Sequence, residues 1–69
     1  MRKEILDQIN DYLEYEQVKN SFAIKSPKRE LVGYEIVEYD ENEYYPNLYE
    51  GGDYIFDELL NQYYRCYFN

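Results

Sequence analysis

Leu31-Val32-Gly33-Tyr34-Glu35-Ile36-Val37-Glu38-Tyr39 is the stretch that separates a mixed α+β domain from an all-helical one. Val32, Tyr34, Ile36, Val37 and Tyr39 are β-branched or aromatic, the side chains that fit a pleated surface. Gly33, in the middle, costs a helix about 1 kcal/mol relative to alanine. Both features favour a strand over residues 31–39. A strand needs a partner, and the nearest upstream is Phe22-Ala23-Ile24-Lys25. The spacing predicts antiparallel strands at 21–25 and 31–39 around a turn at 26–29. The competing reading starts a helix at Ser26-Pro27, with serine as N-cap and proline at the first helical position. Residues 27–39 would then be helical, within a small all-α bundle.

Outward from this stretch, the chain turns helical on both sides. Ile5, Leu6, Ile9, Tyr12 and Leu13 recur every three or four residues, with Asp7, Gln8, Asp11 and Glu14 between them. That is one apolar stripe, and it predicts a helix over residues 2–19. Residues 40–52 are dense in turn formers, including Pro46-Asn47 and Gly51-Gly52, and read as a loop. The loop also carries Tyr44, Tyr45, Leu48 and Tyr49, which a fully solvated loop does not need. Asp53 is a suitable N-cap. Phe56, Leu59, Leu60, Tyr63 and Tyr67 then form a second stripe, which predicts a helix over 54–68. The expected fold is a single α+β domain, residues 1–69, built helix–β-hairpin–helix with both helices on one face of a small sheet.

The 69-residue length and composition narrow the function. A domain this small buries only about 60% of its unfolded surface. It usually needs a disulfide, a metal or association to hold it. Cys66 is the only cysteine and there is no histidine, so no disulfide closes within one chain and the usual zinc ligand sets are missing. Aromatic packing takes over, through eleven tyrosines and three phenylalanines. The net charge is −8 and unevenly placed. Residues 1–30 balance six acids against six bases, whereas residues 31–69 carry nine acids against Arg65 alone. Nine of the tyrosines lie in the same acidic part. Direct binding to nucleic-acid phosphates, which relies on basic groups, is not expected. Attraction to a basic partner is. No segment approaches the ~20 apolar residues that span a bilayer. The N-terminus lacks a signal-peptide pattern, and a lone thiol suits a reducing compartment, so a cytoplasmic setting is expected.

Catalytic and cofactor motifs are wanting. Without histidine there is no Ser-His-Asp or Cys-His arrangement. Cys66 sits among aromatic neighbours that favour an inert thiol. Ser21 and Lys25 carry no accompanying oxyanion-hole signature. Phosphate-loop and dinucleotide glycine patterns are missing, and Asp53, Asp57 and Glu58 would repel an anion from the Gly51-Gly52 turn. Placing Asp40 at the start of a calcium loop puts Tyr45 where glycine is required and Gly51 where glutamate is required. Tyr34–Val37 and Tyr45–Leu48 match short tyrosine motifs, as expected by chance in so tyrosine-rich a chain. No enzyme activity, no metal and no cofactor is expected.

What remains is the acidic, aromatic surface. On an extended chain, acids two apart share a face about 6.6–6.8 Å from one another, close to the separation of successive phosphates. Glu38 with Asp40, and Glu41 with Glu43, have that spacing; Glu50, Asp53 and Asp57 continue the series. Tyr44, Tyr45 and Tyr49 can anchor such a surface against arginines. In composition, though in no motif, the chain resembles the small acidic nucleic-acid mimics with which phages and mobile elements block restriction, CRISPR and repair proteins. The expected function is an inhibitor that docks these ten residues on a basic nucleic-acid-binding protein or nuclease. Two alternatives remain open: an antitoxin or immunity protein for a nuclease toxin, and a structural homodimer joined through Tyr63, Tyr64, Tyr67 and Phe68 on the second helix. The plainer alternative is a solvated acidic face over a tyrosine-filled core.

Overall fold

The computed structural model describes residues 1–20 and 29–69. Among these residues are one helix, α1 (Lys3–Asn20), and three strands, β1 (Leu31–Val37), β2 (Tyr54–Asp57) and β3 (Gln62–Phe68), with a 3-10 turn at Leu48–Glu50 before β2. The α+β class and the strand after residue 30 stand as the sequence indicates. The strand expected at 21–25, and most of the turn after it, lie outside the described residues.

In α1, Ile5, Ile9, Tyr12 and Leu13 are buried, the spacing that places four side chains on one helix face. Leu6, at the margin of that stripe, is 37% exposed. Glu4 in the first turn and Lys19 in the last complement the helix dipole. Tyr12 also donates a 2.6 Å hydrogen bond to Glu16 Oε2. Burial, reinforced by that bond, pushes the Tyr12 phenol up to about 12. Glu16 in turn pairs with Arg29 at 3.1 Å, tying the helix to the approach to β1.

The second helix is not formed. Residues 54–68 make a β-hairpin, and β3 becomes the central strand of an antiparallel sheet ordered β1-β3-β2. The stripe Phe56, Leu59, Leu60, Tyr63 and Tyr67 fits a helix by spacing. The strands bury a different, alternating set: Ile55 and Asp57 on β2, Tyr64 and Cys66 on β3. The intervening residues 58–61 settle the matter. Asp57 Oδ1 accepts from the backbone N–H of Leu59 at 3.0 Å and of Leu60 at 3.2 Å. Asn61 takes a left-handed conformation at φ 52°. An aspartate bonding its own backbone and an asparagine at positive φ are turn chemistry, not helix interior. Leu59 and Leu60 are consequently 72% and 50% exposed. Asp53 does not cap a helix; its carbonyl accepts from Cys66 N–H at 2.8 Å, extending the ladder.

The register sorts the sheet into two faces. Tyr34 lies opposite Cys66, and Ile36 and Ile55 lie on either side of Tyr64. This face meets α1: Ile5, Ile9, Tyr12 and Leu13 pack with Leu48, Ile55, Tyr64 and Cys66 as one core. The other face carries Gly33 opposite Tyr67, Glu35 and Tyr54 beside Arg65, and Val37 and Phe56 beside Tyr63. A register shift between Leu31 and Gly33 displaces Val32, which is 63% exposed.

Residues 38–53 carry the chain from β1 at one edge to β2 at the other. Gly51 caps the 3-10 turn at φ 87°. At Gly52 a side chain would collide with the Pro46 carbonyl, whose oxygen accepts from Tyr54 N–H at 3.1 Å. Gly52→Ala is therefore expected to cost about 1–3 kcal/mol, the usual range for overpacking. A urea titration followed by circular dichroism measures it; an unchanged midpoint would mean that the Pro46 backbone gives way freely.

Candidate partner-binding surface

The acids of residues 38–43 stand on a loop of defined shape. Asp40 N–H donates to the Tyr45 hydroxyl at 2.9 Å, and that hydroxyl donates to the Glu38 carbonyl at 3.2 Å. Glu43 N–H closes a turn on the Asp40 carbonyl at 2.9 Å, and Asn42 N–H reaches Asp40 Oδ1 at 2.9 Å. Tyr45 thus pins the loop from below. Its ring stacks on Tyr63 of the sheet, centroids 4.6 Å apart, and Tyr39 stacks on the same ring at 6.0 Å. Glu38, Asp40, Glu41 and Glu43 all remain exposed, and Tyr44 is 77% exposed beside them. Glu38, Tyr39, Asp40, Glu41 and Asn42 line a shallow concavity of about 600 Å³.

The turn at 40–43 removes the regular extended spacing. Glu41 and Glu43 do not alternate along a strand, so the match to successive phosphates does not hold there. Charge density is what the loop presents.

The other expected site residues disperse. Tyr49 lies against the helix, its ring 5.2 Å from Tyr12 and 5.7 Å from Tyr15, and Glu50 is exposed beside it in the 3-10 turn. Asp53 is exposed at the start of β2. Asp57 leaves the candidate set. It is 0% exposed and accepts from Arg2 Nε at 2.9 Å and Nη2 at 2.8 Å. The Tyr64 hydroxyl donates to it at 3.4 Å, in addition to the two backbone groups of the hairpin turn. The Arg2 guanidinium holds the Asp57 carboxyl down at about 2, helped by the Leu60 and Leu59 N–H groups and opposed by burial. Asp57 is a cornerstone of the fold and cannot meet a partner.

Tyr63, Tyr64, Tyr67 and Phe68 lie on β3, so they form no helical interface. Tyr64 is 2% exposed and committed to the core. Cys66 is equally buried, and burial, with the nearby Asp53 charge, pushes its thiol up to about 11. A neutral, enclosed thiol has no nucleophilic role.

Among the described residues, two bases are held by acids. Arg2 engages Asp57 and Glu4, and Arg29 engages Glu16. Arg65 lies over the Tyr67 ring at 5.6 Å. Among the described residues, no basic side chain forms an ion pair with Glu38, Asp40, Glu41 or Glu43. The sequence reading missed the sheet face carrying Gly33, Glu35, Tyr54 and Tyr67, because it placed residues 54–68 in a helix. Residues 63–68 are aromatic or apolar except for Arg65, so no apolar–polar alternation marks the strand in the sequence; the available signal was their β-forming composition.

Among the described residues, no three carboxylate or cysteine side chains gather as a metal site, and no helix is long and apolar enough to cross a membrane. No protein-family model, curated protein or solved structure matches the chain.

Proposed function

We propose that the chain is a non-enzymatic binding protein that docks its acidic loop on a basic, nucleic-acid-binding protein and inhibits it by occupying the surface nucleic acid would take. The observation that carries this reading is the pinning of the loop. Solvated acids in an idle loop need no fixed shape. Here Tyr45, a turn and an aspartate–backbone bond hold Glu38, Asp40, Glu41 and Glu43 in place while leaving them exposed. Ordering them before binding reduces the entropy lost on binding. The net charge of −8 supplies long-range attraction to a basic surface.

Affinity capture from lysate tests the reading, with wild type and the variant Glu38→Gln, Asp40→Asn, Glu41→Gln, Glu43→Gln as parallel baits. The wild type is expected to recover a nucleic-acid-binding protein that the variant does not. That recovery should fall steeply between low and moderate salt, because exposed charges are screened within about 10 Å at 0.1 M. Equal recovery by both baits, or recovery indifferent to salt, would move the site away from the loop.

A further inference from the structure

We infer that the sheet face opposite α1, centred on Gly33, Glu35, Tyr54 and Tyr67, is the docking surface for an arginine-bearing segment of that basic partner. The inference rests on the proposed function and names its contact surface. An antiparallel sheet with one face on a helix usually turns a polar face to water. This one does not. Of the side chains facing away from α1, Val37, Tyr54, Phe56, Tyr63 and Tyr67 are aliphatic or aromatic, and only Glu35 and Arg65 are charged. The rings of Tyr39 and Tyr45 cover the Tyr63 end. An added side chain at Gly33 would meet nothing within 4 Å, and Tyr67, directly opposite, is 41% exposed.

The chemistry of the face selects its occupant. The Tyr67 hydroxyl donates to Glu35 Oε1 at 2.7 Å, so a carboxylate is fixed beside an aromatic plane. That bond, with some burial, raises the Tyr67 phenol above its ordinary value and keeps it protonated as the donor. The chain already shows what such a ring takes: its own Arg65 guanidinium lies over Tyr67. A guanidinium is flat and weakly hydrated; it stacks on aromatic planes and forks to carboxylates, which an ammonium does less well. The acidic loop adjoins the face through Tyr39 and Tyr45, so a basic segment drawn in by the loop reaches these tyrosines next. A second copy of the chain fits poorly, since each carries a net charge of −8.

Nuclear magnetic resonance on the full chain tests this, with hexa-arginine and hexa-lysine peptides as probes. Hexa-arginine is expected to shift Gly33, Glu35, Tyr54 and Tyr67, and to bind about threefold more tightly than hexa-lysine. Gly33→Val suits a strand and its Cβ meets nothing within 4 Å, so it should keep the fold while weakening hexa-arginine about tenfold by crowding the Tyr67 ring opposite. Shifts confined to residues 38–43, equal for both peptides and untouched by Gly33→Val, would overturn the docking face and leave the acidic-loop reading standing. No shift with either peptide at low salt would overturn both. Face shifts that appear on concentrating the protein alone, with a doubled mass by light scattering, would replace the basic partner by a second copy.

Discussion

Arg2→Met is expected to lower the thermal midpoint by more than about 12 °C, one of the two largest losses anticipated for a single substitution. Arg2 reaches from the start of α1 to the far end of β2, and its guanidinium is the cation paired with the fully buried Asp57. Removing it leaves a carboxylate out of water with only the Leu59 and Leu60 N–H groups and the Tyr64 hydroxyl to hold it. Breaking a buried pair from one side strands a charge, which costs more than removing both. Asp57→Asn is accordingly expected to be milder. The asparagine oxygen still accepts from Leu59 and Leu60, and Arg2, whose side chain is 28% exposed, can turn to water. The double variant should resemble Asp57→Asn rather than the sum. Acid titration gives a second readout. The folded Asp57 carboxyl titrates near 2, below its ordinary 3.8, so the unfolded chain takes up protons first as pH falls. The stabilisation from Asp57 is complete above the ordinary value and is lost as pH drops from there towards about 2. In Asp57→Asn that limb of the stability curve should flatten. A wild-type curve already flat between these pH values would show that Arg2 does not hold Asp57 in solution.

Tyr64→Ala is the second large effect, expected to cost about 3–5 kcal/mol. Tyr64 is 2% exposed at the centre of β3, flanked by Ile36 and Ile55 and meeting the Tyr34 ring edge-on at 5.7 Å. A domain of this size has about that much stability altogether, so the variant should be largely unfolded. Tyr64→Phe keeps the ring and loses the hydroxyl, which accepts from Gln62 at 2.7 Å and donates to Asp57. Its cost should be about 1 kcal/mol. Far-ultraviolet circular dichroism separates the two; a cooperative melt of Tyr64→Ala within a few degrees of wild type would mean that the core closes around the missing ring.

Much of this architecture was legible in advance, for identifiable reasons. The helix from Lys3 follows from Ile5, Ile9, Tyr12 and Leu13, which no strand could bury on one face. The strand from Leu31 follows from Gly33 among β-branched and aromatic neighbours. Residues 54–68 were misread because their aromatics fit a helix by spacing, and the matter was settled by Asp57 and Asn61, two polar residues that looked like helix surface. The same prejudice sent Asp57 to the solvent. An acid is buried only with a partner, and that partner, Arg2, lies at the opposite end of the chain, beyond any local pattern. In the candidate site, the exposed acids of the loop were apparent from composition. Their pinning by Tyr45 was not, because a tyrosine hydroxyl that bridges two backbone groups leaves no spacing signature.

The order β1-β3-β2 also bears on how the protein is made. The middle strand follows both of its neighbours in the chain. A nascent polypeptide on the ribosome can assemble α1 and expose β1 and β2, yet neither strand has its ladder until β3 emerges. Arg2 likewise waits for Asp57. Nearly every stabilising contact of the sheet therefore waits for β3, with long-range pairings that are slow to find one another. Until β3 is in place the apolar stripe of α1 and Tyr34 of β1 lack their sheet partner, and the net charge of −8 is what opposes association between unfinished copies.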